Sequence, residues 1–190
     1  MKKTLMILSI LALFGCKPEP EKAFVALDNA ALVEMYTNDQ NDRKTNPIDW
    51  SVVNKNDSLR RLRVRQLLDS GKVNTGKDLK NAAMIFQHGT DSTDYGLAVQ
   101  LMKKAIEKDS TVNKWLFAAA TDRYLLSKGE PQIYGTQYEK MGDEPWRLGE
   151  IDTTKISDAE RKAYGVKTLA EQREKVKQMN LKDPVDEPQK

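Results

Sequence analysis

Apolar residues recur at three- and four-residue spacing through most of this chain, and each run is bracketed by residues that start or stop helices. Phe24, Leu27, Ala31 and Met35 form the first run, which the sequence predicts to fray at Thr37-Asn38. After a polar loop with Asn46-Pro47, Asp57 or Ser58 is the expected cap of a second helix, with Leu59, Leu62, Leu67 and Leu68 inward and Gly71 as its stop. Asp78 opens a third with Leu79, Ala82, Ala83 and Phe86 on one face, ended by Gly89. Asp91 to Thr93 cap a fourth that carries Ala98, Leu101, Met102, Ala105 and Ile106. Its partner runs from about Val112 to Lys128, and the two read as an antiparallel, repeat-like pair without a second copy at a fixed period. Ile133 to Tyr138 and Trp146 to Ile151, separated by Gly142, Asp143 and Pro145, read as a β-hairpin. Ser157 with Glu160 and Thr168 with Glu171 are capping boxes that open two short helices. The expected fold is therefore mainly α: a single helical domain over 23–181 with about six helices and one small β-hairpin, followed by a disordered tail over 182–190.

The amino terminus obeys a different rule. Lys2 and Lys3 precede an apolar run of roughly ten residues, half the ~20 needed to span a bilayer, so the segment is a targeting signal and not a membrane helix. Leu13-Phe14-Gly15-Cys16 resembles the lipobox of bacterial lipoprotein precursors. The resemblance implies a signal peptide over 1–15, cleavage before Cys16 and acylation of its thiol, palmitate among the chains. Residues 16–22 then form a lipidated tether, and Lys17-Pro18-Glu19-Pro20-Glu21-Lys22 spans on the order of 20 Å at ~3.1 Å per residue. The expected location is extracytoplasmic, on a membrane of the bacterial cell envelope. The lysine and acidic residues after Cys16 loosely resemble the surface-export signals of some Bacteroidetes lipoproteins, with a different proline spacing.

Composition narrows the chemistry. The formal charge is only +3 over 190 residues, and two of the lysines lie in the signal, so the basic excess that phosphate-backbone binding needs is missing and nucleic acid is not an expected partner. With Cys16 the only cysteine and His88 the only histidine, disulfides and the usual zinc sites are not expected, nor is a cofactor. No nucleophile-elbow or phosphate-binding glycine motif is present. Arg60, Arg61, Arg63 and Arg65 read as a solvated face paired with Asp57, Asp69 and neighbouring acids, and Asp91 to Asp94 read as a helix cap.

Charge does appear where core is expected. On the helix from Val112 to Lys128, Trp115, Ala118, Ala119, Leu125 and Leu126 share one apolar face at 100° per residue, with Asp122 in its middle and Arg123 on its border. Adjacent residues point about 100° apart, so each needs a partner from another segment. The candidates are Asp39, Gln40 and Arg43, then Gln87 and His88, and then the segment Pro131 to Gln137 with Gln132, Tyr134, Thr136 and Gln137. Read as a strand, that segment would turn Tyr134 and Thr136 to one face and Ile133 and Gln137 to the other.

The same residues resemble the signature of an uncharacterised bacterial domain family. They comprise Asp39-Gln40-x-x-Arg43, the run Ala82 to Gly89, Asp122-Arg123, and Pro131-Gln132-x-Tyr134-Gly135-Thr136-Gln137, within a similarity from about Leu32 to Leu181. The resemblance implies that these residues belong together and carries over no activity. The leading expectation is a lipid-anchored binding or interaction domain with a polar pocket made by Asp39, Gln40, Arg43, Gln87, His88, Asp122, Arg123, Gln132, Tyr134, Thr136 and Gln137 for a protein or small-molecule ligand. A second expectation is a small hydrolase or transferase with His88 as general base, Asp122 orienting it, and Arg123 or Gln137 stabilising negative charge. A third is a structural envelope protein in which the motif only stabilises the fold.

Overall fold

The computed structural model describes residues 26–183. Seven helices and one two-stranded sheet follow in the order α1 (Ala30–Asp42), α2 (Trp50–Asp69), α3 (Gly76–Gln87), α4 (Ser92–Lys108), α5 (Trp115–Ser127), β1 (Tyr138–Glu139), β2 (Arg147–Leu148), α6 (Asp158–Ala163) and α7 (Leu169–Lys182). The fold is mainly α with one small hairpin, as the periodicity predicts. The expected signal peptide, Cys16, the expected tether and most of the expected tail lie outside the described residues.

α3 is the hub. Ala82, Ala83, Ile85 and Phe86 are all buried, so more than one face of this helix is covered, and it packs against α1, α2, α4 and α5. Small side chains let its neighbours approach: Ala82 and Ala83 on α3, Ala98 and Ala105 on α4 and Ala120 on α5 are fully buried. Phe86 and Met102 fill the space between them, each contributing about 1.5–3 kcal/mol by burial. A smaller cluster of Ala118, Tyr134 and Val166, flanked by Phe117 and Tyr164, fastens the segment after α5 and the loop after α6 to the bundle.

Several boundaries differ from the sequence reading, for identifiable reasons. α1 starts later and runs past Thr37-Asn38, because Asn29 caps it and Asp39, near its far end, is held in the interior. α2 begins at Trp50 under the Asp49 cap, so Asp57 is not a cap but an interior residue. Its inward stripe is Val53, Asp57, Arg60, Val64 and Leu67, whereas Leu59 and Leu62 are each 57% exposed. α3 is capped by Thr75, with Asp78 closing the capping box from three positions on. On α5 the inward residues are Leu116, Ala118, Ala119, Ala120 and Asp122, and Trp115 is exposed. The hairpin is far shorter than expected, pairing only Tyr138 with Leu148 and Glu139 with Arg147. The capping boxes at Ser157 and Thr168 form as predicted.

Candidate functional site

The end of α1 and the end of α3 meet through side chains. His88, the C-cap of α3, places Nδ1 2.9 and 3.0 Å from the two carboxylate oxygens of Asp39. Asp39 also accepts from Gln40 Nε2 at 2.7 Å and from Arg43 Nη1 at 2.9 Å. Burial favours the neutral acid, but hydrogen bonding and charge from His88, with help from Gln40 and Arg43, outweigh it and hold the Asp39 carboxyl below the ordinary range. An ionised carboxylate only accepts, so His88 Nδ1 carries a hydrogen and donates it. The carboxylate that orients His88 is thus Asp39 and not Asp122.

The network continues into α2. Arg43 reaches on to Asp57, Arg60 Nη1 donates to Asp57 at 3.1 Å, and Arg60 Nη2 closes on Asp42. Asp57 and Arg60 are therefore buried members of an ion cluster, which corrects the reading of Arg60 as part of a solvated face. Arg61 and Arg65 both pair with Asp94, at 3.1 and 2.6 Å, so Asp94 does more than close a cap. Asp42, Asp57 and Arg60 join the site without being named by the sequence reading; Asp57 and Arg60 carry a signal, as two charges on the three- and four-spaced stripe of α2, and Asp42 on α1 carries none.

Asp122 has a different task. Its Oδ1 accepts from the backbone N–H groups of Ile133 and Tyr134 at 2.9 and 2.8 Å, and its Oδ2 from the Thr136 N–H and hydroxyl at 2.8 and 2.7 Å. Residues 133–136 wrap this carboxylate as a loop, so the expected strand and its alternating faces do not form. Gln132, fully buried, reinforces the turn by donating to the Gln137 and Gly149 carbonyls and accepting from the Gln137 N–H. Arg161 of α6 clips the same loop from the other side through the carbonyls of Tyr134 and Ile133. The Tyr134 ring lies 5.2 Å from that of Tyr164, and burial, with Tyr164 next, pushes its hydroxyl well above the ordinary phenol range. Asp122, Gln132, Tyr134 and Thr136 form a framework and stand apart from the His88 cluster.

Arg123 joins the two. Its Nη1 donates to the Gln87 carbonyl at 2.7 Å, and its Nε and Nη2 donate to Gln137 Oε1 at 3.3 and 3.2 Å. The guanidinium stands 5.7 Å over the ring of Tyr95. Burial weakens its hold on its proton; Tyr95 opposes that, while the positive charge of nearby Arg43 adds to it. Arg61 donates to the neighbouring carbonyl of His88 at 2.9 Å, so two guanidinium groups cap the same helix end. They differ in one respect. Arg61 pairs with Asp94, a carboxylate it shares with Arg65, whereas no carboxylate of the described residues lies within 4.0 Å of Arg123. The side chain of Gln87, whose backbone carbonyl Arg123 takes, keeps a buried Oε1 that has no donor among the described residues.

No three His, Cys, Asp or Glu residues are grouped as metal ligands would be among the described residues, and none of the described helices is long and apolar enough to cross a membrane.

Residues 54–181 match the family of unknown function DUF6624, which is most of the chain, and the protein belongs to that family. No curated protein and no solved structure matches it.

Proposed function

We propose, with membership in DUF6624 as the premise, that this is a lipid-anchored protein of the bacterial cell envelope whose helical domain binds a small anionic ligand where α3 ends, between His88, Arg43 and Arg123. The anchor is the acyl group on Cys16, supported by the lipobox and the short apolar run before it. The observation that carries the ligand class is Arg123: a largely buried guanidinium, hydrogen-bonded among the described residues only to neutral oxygens, in the field of a second cation and bonded to the carbonyl that precedes His88. A buried charge is costly without a counter-charge, and a bound anion supplies one.

The experiment has two arms. Replacement Cys16→Ala abolishes labelling by palmitate and releases the protein from the membrane fraction. Calorimetric titration with a panel of small phosphates and carboxylates finds binding in the full chain and at least a tenfold loss in Arg123→Met. Unchanged binding in a variant that melts much earlier assigns Arg123 to structure alone and overturns the reading.

A second reading is favoured by one contact. With Asp39 fixing Nδ1–H, His88 Nε2 is set up as a general base, and Arg123 stands ready to stabilise developing negative charge. This hydrolase or transferase fails if His88→Gln and Asp39→Asn leave a detected turnover intact.

A further inference from the structure

The loop built around Asp122 also borders a cavity that Arg123 does not line. There Thr136 and Tyr138 join Trp115, Gly165, Lys167, Gln172 and Lys175 around a cavity of about 210 Å³. Gly165, at φ +70°, turns the chain sharply after α6 and presents no side chain to the space. Gln172 is buried on α7 and is hydrogen-bonded to the Tyr138 hydroxyl, so this wall is fixed.

Two cations face the cavity. Lys175 holds its ammonium 4.0 Å from the centroid of the Tyr138 ring. Burial, and then the charge of Lys167, make Lys175 easier to deprotonate than an ordinary lysine. Neither ammonium has a carboxylate within 4.0 Å among the described residues. Glu171 feels the charge of Lys167, but its carboxylate is committed to the Thr168 N–H and hydroxyl, each at 2.7 Å. Trp115, 43% exposed although aromatic, lines the same cavity. Two like charges that feel each other and an indole lining the same cavity match a molecule that carries an oxyanion at one end and a ring at the other.

We propose that this cavity is a second ligand site, distinct from the α3 terminus, that takes a small ring compound bearing a phosphate or carboxylate. Lys167 and Lys175 bind the oxyanion, and Trp115 stacks on the ring. A probe of benzoate or phenyl phosphate size is small enough for a cavity of about 210 Å³.

The test is a two-dimensional amide and indole NMR titration of the full chain with phenyl phosphate, benzoate and uncharged benzyl alcohol. Shifts should appear at the Trp115 indole and at the amides of Gly165, Lys167 and Lys175 with the two anions, and not with the alcohol. Phenyl phosphate binding without benzoate binding identifies a phosphoester head, and binding of both identifies a general oxyanion site. Lys167→Gln and Lys175→Gln should each weaken binding about tenfold, the weight of one charge-assisted hydrogen bond, without lowering the melting temperature. Lys177→Gln, on an exposed lysine paired with Glu174, should bind as the native chain does. Absence of these shifts at millimolar anion, equal shifts with benzyl alcohol, or undiminished binding in both lysine variants overturns the proposal.

Discussion

Asp122→Asn is the perturbation that best separates framework from chemistry. The native carboxylate is fully buried and receives four hydrogen bonds, three of them from N–H groups of the loop that follows its helix. An asparagine keeps one acceptor oxygen. It will face the Ile133 and Tyr134 N–H pair, because on the other side the Thr136 hydroxyl can rotate and accept, whereas an N–H cannot. The Thr136 N–H is then opposed by the new amide, which costs ~1–3 kcal/mol for a buried donor without a partner. The two retained bonds lose their charge assistance, worth about 1 kcal/mol each on the same scale. Relief of carboxylate desolvation returns part of this, so the net loss should be about 3 kcal/mol, or roughly 6–12 °C in melting temperature for a chain of this size.

Calorimetry gives the total, and native-state hydrogen exchange assigns it. The amides of Ile133, Tyr134 and Thr136 should lose protection together, while those in the middle of α3 and α4 keep theirs relative to global stability. A melting temperature within 2 °C of the native chain, with the three amides still protected, would refute the reasoning. It would mean that the loop holds itself and that the Asp122 carboxylate is free for another purpose.

The Asp39 carboxyl is lowered in the folded chain, whereas it titrates near ~3.9 unfolded, so the unfolded chain binds more protons between the two values and stability rises with pH there. That contribution is fully present above about pH 5 and is lost as pH falls through the folded value; urea unfolding from pH 2.5 to 6 should show a shallower acid slope for Asp39→Asn than for the native chain. Gly135 sits at φ +83° with Ile151 Cδ1 3.2 Å from where a Cβ would lie, and Gly135→Ala should cost about 1–2 kcal/mol by urea unfolding. Gly89→Ala would drive its Cβ to 2.3 Å from Asp94 Cβ, displacing α4 or the Asp94 pairs with Arg61 and Arg65, and its melting temperature should fall further than that of Gly135→Ala. Met102→Ala removes a fully buried core side chain and should cost ~2–5 kcal/mol, read from the same denaturation curves.

How far the sequence could be read depended on whether the deciding contacts were local. The Ser157 and Thr168 boxes join residues three apart, and both are where the sequence puts them. α2 misleads because a count of apolar residues selects Leu59 and Leu62, while the true inward stripe includes Asp57 and Arg60. Those charges belong there only because Arg43 and Asp42 arrive from α1, which α2 alone does not reveal. The segment from Ile133 to Thr136 has strand-like residues, but Asp122 on the preceding helix accepts the N–H groups that a neighbouring strand would have needed. His88 was recognised as a candidate, but its partner Asp39 lies 49 residues away and no spacing rule links them. Asp122 was the nearer choice and the wrong one for that bond.

The end of α3 gathers these non-local contacts for an electrostatic reason. A helix terminates in carbonyls that lack intrahelical donors and carry partial negative charge, so it draws cations from whatever elements surround it. Here the carbonyl of Gln87 takes Arg123 from α5 and that of His88 takes Arg61 from α2. Half an elementary charge at a helix end can orient a guanidinium, but it does not neutralise one. For Arg61 the remainder is met in part by Asp94, which Arg65 shares. For Arg123 it is met by the amide oxygen of Gln137 and the face of Tyr95, both neutral, while Arg43 adds a further positive field. If capping were the whole purpose of Arg123, the amide of a glutamine could donate to the same carbonyl without the desolvation cost of a full charge. The excess positive charge beside His88 is therefore the feature that framework alone does not explain.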